Sequence, residues 1–134
     1  MRMILKGLSR QGSMLKVSIQ VDQKQLLKAL EKAPEKTTKK IKQALNKIGV
    51  KIRTTARSEH LYKHDSHNLE RSTQLELHEN SLGVDVGFDE NIANYGQFQH
   101  NRDPFIDKAY YKHDDIIQST IEQAVLEAFT EAGF

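Results

Sequence analysis

The apolar residues of this chain recur at two spacings, every second position and every third or fourth, and the changes between them mark its elements. Leu15, Val17, Ile19 and Val21 alternate with Lys16, Ser18 and Gln20, the mark of a strand with one buried face. Asp22 follows as a helix cap, with Gln25 three positions on as in a capping box. Leu26, Leu27 and Leu30 give a short helix its apolar side, and Pro34 closes it. From Glu35 to His60 the spacing is helical. Ile41, Ala44, Leu45, Ile48, Ile52, Thr55 and Ala56 share one stripe, with Lys39, Lys42, Arg53 and Arg57 on the opposite side. Such a helix runs about 39 Å. Gly49 within it costs roughly 1 kcal/mol relative to alanine, unless something packs closely there.

Leu61 to Arg71 has no apolar period and reads as a loop. Thr73 to Leu77 alternates again, Glu79-Asn80-Ser81 makes a turn, and Leu82, Val84, Val86 and Phe88 alternate in return, which is a β-hairpin. Residues 89–102 form a polar connection around a helical turn at Ile92 to Phe98. Asp103 caps a last helix with Pro104 at its first position. Its stripe runs through Ala109, Ile117, Ile121, Ala124, Val125 and Ala128, and Gly133 stops it. Residues 1–13, with Gly7, Gly12 and two serines, read as a flexible arm. The expected fold is α+β: over residues 14–134, a small antiparallel sheet packed against two long helices plus a short one.

A length of 134 residues suits one domain. At 37% hydrophobic and 28% charged, the composition fits either much polar surface or a subunit whose partners supply contact area. With no cysteine, disulfides and thiolate metal sites are excluded. No apolar run is long enough for a transmembrane helix, and no apolar region follows the charged start as in a signal peptide. Cytoplasmic synthesis without membrane association is expected. The net charge of +2 hides a polarity: residues 1–63 hold 16 Lys and Arg against 4 Asp and Glu, the remainder 4 against 14. Opposite faces of that kind either neutralise each other within the fold or steer one subunit onto the next.

Three groups of residues carry candidate chemistry. His60, His64 and His67 with Asp65 have spacings that could surround zinc on a helix. No His-Glu-x-x-His pattern accompanies them, so a polar loop without metal or cofactor is the reading. Lys36, Lys39, Lys40, Lys42, Lys47, Lys51, Arg53 and Arg57 could neutralise phosphates, although the helix has no aromatic residue for base stacking. A small intracellular nucleic-acid-binding module using helix 35–60 is therefore the alternative function. Tyr95, Phe98, Phe105, Tyr110 and Tyr111 form either core packing or an interface anchor.

Three segments follow in fixed order: Asp65-Ser66-His67-Asn68-Leu69-Glu70-Arg71-Ser72, Ile92-Ala93-Asn94-Tyr95-Gly96-Gln97-Phe98, and Asp103-Pro104-Phe105-Ile106-Asp107-Lys108-Ala109. With the long basic helix before them, they resemble the neck (tail-completion, head–tail joining) proteins of long-tailed bacteriophages over roughly residues 22–131. Asp65, Ser66, Leu69, Arg71 and Ser72 match the family's loop, Ala93, Tyr95 and Phe98 its turn, and Pro104, Phe105, Ile106 and Ala109 its last-helix opening. His67 stands where the family has glycine, Gln97 replaces its glutamate, and Gln99-His100 its Gly-Thr. The resemblance implies a non-enzymatic protein of the virion neck or tail end, a homo-oligomeric ring (hexameric or dodecameric), bound to adjacent head-connector and tail proteins. It also makes weak sequence-independent contact with genomic DNA sensible. The interface residues it and the charge pattern suggest are Lys39, Lys42, Arg53, Arg57, Asp65, Ser66, Leu69, Arg71, Tyr95, Phe98 and Phe105.

Overall fold

A computed structural model describes residues 4–11, 14–58, 73–79, 81–89 and 105–134. Within them the protein is α+β, a four-stranded antiparallel sheet with helices packed on it. Strands β1 (Ile4–Gln11), β2 (Met14–Val21), β3 (Gln74–Leu77) and β4 (Gly83–Asp89) are ordered β1-β2-β4-β3. The expected hairpin of β3 and β4 is present, and β2 continues the sheet on the other edge of β4. Register follows the alternation. Val17 stands opposite Val86 and Val86 opposite Leu75, and Ile19, Val84 and Leu77 form the next row. Val17, Ile19, Val84 and Val86 are fully buried. Ser18, Asp85 and Glu76 make the matching row on the other face.

The expectation of a flexible arm over residues 1–13 is corrected for residues 4–11. Ile4–Gln11 is a full strand, paired with β2 from Ile4 opposite Val21 to Gln11 opposite Met14. Only Gly12 and Ser13 separate the two strands in sequence, and Gly-Ser between two apolar-rich runs is a two-residue hairpin signal. The strand's own composition, with Lys6, Gly7, Ser9 and Arg10, masks it as a loop.

After β2, the Asp22 side chain accepts the Lys24 N–H at 3.1 Å and starts a 3₁₀ turn over Gln23–Leu26. Helix α1 (Leu27–Lys32) follows and ends at Ala33. Pro34 does close α1, and it also opens α2 (Pro34–Ser58), where its missing N–H costs nothing. The buried Thr37 hydroxyl donates to the Ala29 carbonyl at 3.1 Å and ties the two helices. Helix α2 buries Ile41, Ala44, Leu45, Ile48, Gly49, Ile52 and Ala56, six of them on the expected stripe, and crosses β3 and β4. Gly49 is where the backbone comes close: a Cβ there would stand 3.0 Å from Val84 Cγ2.

The single last helix expected from the sequence is instead two, α3 (Phe105–Lys112) and α4 (Asp114–Glu131), separated by His113. Phe105, Ile106, Ala109 and Tyr110 of α3 are buried, and α4 buries Ile117, Ile121, Ala124, Val125 and Ala128. Gly133 ends α4 at φ +90, and Phe134 N–H donates to the Phe129 carbonyl while Gly133 N–H donates to Thr130. That is a Schellman termination. It returns Phe134 to 5.4 Å from the Phe129 ring, beneath the Lys32 ammonium at 4.8 Å.

Candidate interaction surface on the helix layer

Helices α2 and α4 run antiparallel, because Lys40 near the start of α2 meets the end of α4 while Thr55 near the end of α2 meets His113 just before α4. Lys40 Nζ lies 3.2 Å from Glu131 Oε1 and 3.3 Å from Glu127 Oε2. The hydrogen bond to Glu131, then that to Glu127, raises the Lys40 pKa above its ordinary value. Glu127 is held below its ordinary value, first by a hydrogen bond from Gln123 and then by Lys40. At the other end, Thr55 Oγ1 and His113 Nε2 are 2.7 Å apart. Part of the sequence's charge split is therefore neutralised inside the fold.

What remains faces outward. Lys36, Lys39, Lys47 and Lys51 of α2 are exposed, as are Asp115 and Glu122 of α4. Helix α4 contains no lysine or arginine. A basic stripe thus lies beside an acidic one on the same layer. An open groove of about 670 Å³ runs between α2 and α4, lined by Lys47, Ile48, Val50, Lys51, His113, Ile116, Ile117 and Thr120 among others. Val50 and Ile116 are 37% and 51% exposed, far more than the core residues beside them. A second groove of about 960 Å³ follows the other flank of α2, past Lys39, Lys42, Gln43, Asn46 and Lys47 to Leu77.

The residues expected at an interface divide three ways. Lys39 is exposed, and Lys42 and Arg53 are half-buried. Arg57 is half-buried, and its Nε and Nη2 donate to the Thr73 carbonyl at 2.9 and 2.6 Å, tying the end of α2 to the start of β3. Phe105 is corrected to core, fully buried with its ring 5.7 Å from Phe88. Tyr110 is buried, whereas Tyr111 is 65% exposed. Asp65, Ser66, Leu69, Arg71, Tyr95 and Phe98 lie outside the described residues, as do His60, His64, His67, Asp103 and Pro104.

Sequence reasoning missed a polar cluster on the sheet face opposite the helices. Asp85 accepts from Lys16 Nζ at 2.8 Å and Ser18 Oγ at 2.6 Å, and its Oδ1 lies 2.7 Å from His78 Nε2. His78 Nδ1 is in turn 3.1 Å from Ser81 Oγ. Burial pushes the Asp85 carboxyl up, but the bonds from Lys16, Ser18 and His78 outweigh it and hold the pKa below the ordinary value. Serine, imidazole and carboxylate in series resemble a nucleophilic triad. The large grooves, however, lie on the opposite face. Lys16 and Ser18 also share the carboxylate, so the arrangement is a cross-strand clasp. The signal in sequence was the register itself, which sets residue 18 opposite residue 85.

Among the described residues, no helix is long and apolar enough to cross a membrane, and no group of three or more His, Asp or Glu could hold a metal ion. In comparisons with family models, curated proteins and solved structures, the chain matches none.

Proposed function

We propose that this protein is a structural component of a long-tailed phage or prophage virion. In this reading it joins head and tail by assembling into a ring and binding connector and tail proteins. The observation that carries the reading is the ordered set of segments at residues 65–72, 92–98 and 103–109 following a long basic helix. The α+β frame agrees with it, as does a helix layer whose grooves are open and bordered by exposed charge and single apolar side chains. Such a surface suits protein contacts, with charge setting register and the apolar residues adding affinity. The test is localisation: purified virions, examined by mass spectrometry and by cryo-electron microscopy with a tag on this chain, should contain it at the neck or tail end. Its absence from intact virions would defeat the reading.

The four exposed lysines of α2 favour a second reading, sequence-independent binding of nucleic acid. Retention of duplex DNA on a gel, with a steep loss as salt rises, would support it. Reversing all four, Lys36→Glu, Lys39→Glu, Lys47→Glu and Lys51→Glu, should then abolish retention.

A further inference from the structure

We infer that the α2–α4 layer is the surface by which one copy of this chain docks on another, the basic α2 of one copy lying against the acidic α4 of its neighbour. The inference goes beyond the self-assembly proposed above: when both copies use the same layer the contact pairs them face to face, and the ring needs a further, head-to-tail contact. The inference comes from three features of the layer taken together.

The first is charge. Apart from Lys40, which Glu127 and Glu131 hold within the chain, α2 exposes Lys36, Lys39, Lys47 and Lys51, and α4 exposes Asp115 and Glu122 and has no basic residue. One surface that holds both signs in parallel stripes is complementary to itself. A second copy can place lysines over carboxylates without any change of shape. Such complementarity guides encounter and fixes register.

The second is level along the helices. Lys40 sits beside Glu127 and Glu131. Two helical turns further along α2 comes Lys47, and the matching step back along α4 reaches Glu122. Lys47 and Glu122 thus share a level on the same layer, and both are exposed. Lys51 and Asp115 flank the next stretch in the same way.

The third is an apolar centre. Val50 and Ile116 border one groove, and both remain open to solvent in the single chain. A neighbour's α2 laid along α4 brings its Val50 to the level of this Ile116 and covers both. The contact then has an apolar middle and a charged rim, the anatomy of a specific interface. A nucleic-acid partner would leave the acidic stripe facing phosphates, which argues against it as the occupant of the whole layer.

The test uses two full-length variants. One carries Lys47→Glu and Lys51→Glu, the other Asp115→Lys and Glu122→Lys, all at exposed positions, with circular dichroism and melting to confirm folding. Sedimentation equilibrium is run on the wild type, on each variant and on their equimolar mixture. The wild type should self-associate more weakly as salt rises, and each variant alone should lose self-association. The mixture should recover it, because the reversed charges of one variant's α2 then meet the reversed charges of the other's α4, while the native α4 and α2 meet on the other side. A third variant, Ile116→Glu, should also lose self-association. A wild type that stays monomeric at every concentration tested, or a mixture that fails to recover association, overturns the inference. The neck reading fails separately, if virions assembled without the protein join heads to tails normally.

Discussion

Replacing Gly49 by alanine sets two terms of known sign against each other. Alanine favours the helix by about 0.8–1.0 kcal/mol. Against this, the new Cβ would stand 3.0 Å from Val84 Cγ2 and 3.5 Å from Leu75 Cβ and Cδ2, where the optimal carbon separation is about 3.5–4.0 Å. Val84 is fully buried on β4, which is held by strands on both sides. Its branched side chain has little rotamer freedom, so the helix must move off the sheet. Overpacking of this kind costs about 1–3 kcal/mol. The net is a loss of about 1 kcal/mol, or a Tm lower by about 3–4 °C for a chain of this size. Removing the obstructing methyls should reverse the sign: in a Val84→Ala background, Gly49→Ala should stabilise by about 1 kcal/mol. Urea unfolding followed by circular dichroism gives all four corners of the cycle. A more stable Gly49→Ala in the wild-type background, or a cycle with no coupling, would refute the close-approach account.

Three further outcomes follow from the same structure. Asp85→Asn should lower stability at neutral pH by about 1.5–3 kcal/mol, the usual worth of hydrogen bonds to a charged group. The folded pKa of Asp85 lies below its ordinary 3.8. Its contribution is therefore fully present above that value and lost as pH falls through the folded pKa, so the two proteins should converge in acid; a gap that widens in acid would contradict this. Arg57→Ala takes two donors from a buried carbonyl and should cost about 1–3 kcal/mol in denaturant titration, with no loss in assembly beyond what the lower stability explains. Phe105→Ala should cost about 3–5 kcal/mol as a core truncation against Phe88; a fully stable variant would return Phe105 to the interface.

The parts of the fold with a long, regular period were legible from residues alone. About four turns of α2, from Ile41 to Ala56, repeat one apolar stripe, and β2 and β4 alternate without a break, so the core they form was visible in advance. The N-terminal strand was not, since Lys6, Gly7 and Ser9 dilute its alternation and its partner is defined only by the hairpin. The break at His113 was hidden because the apolar spacing continues across it. The acidic pair Asp114-Asp115, which favours a helix start, was the one local sign. At the surface, sequence gave the sign of each helix face but not what each charge touches. Arg57 reaches a carbonyl 16 positions away and Lys16 a carboxylate 69 away, distances over which no local pattern carries information. The antiparallel pairing of α2 with α4, which puts Lys40 on Glu127 and Glu131, belongs to the same class.

The central claim, that this chain joins heads to tails, is tested most directly by electron microscopy of lysates from a phage or prophage with this coding sequence cleanly deleted, with and without the protein supplied in trans. The account predicts filled heads and separate tails, or tails with faulty ends, and joined infectious particles once the protein is restored. Normal joined particles in the deletion lysate would contradict it.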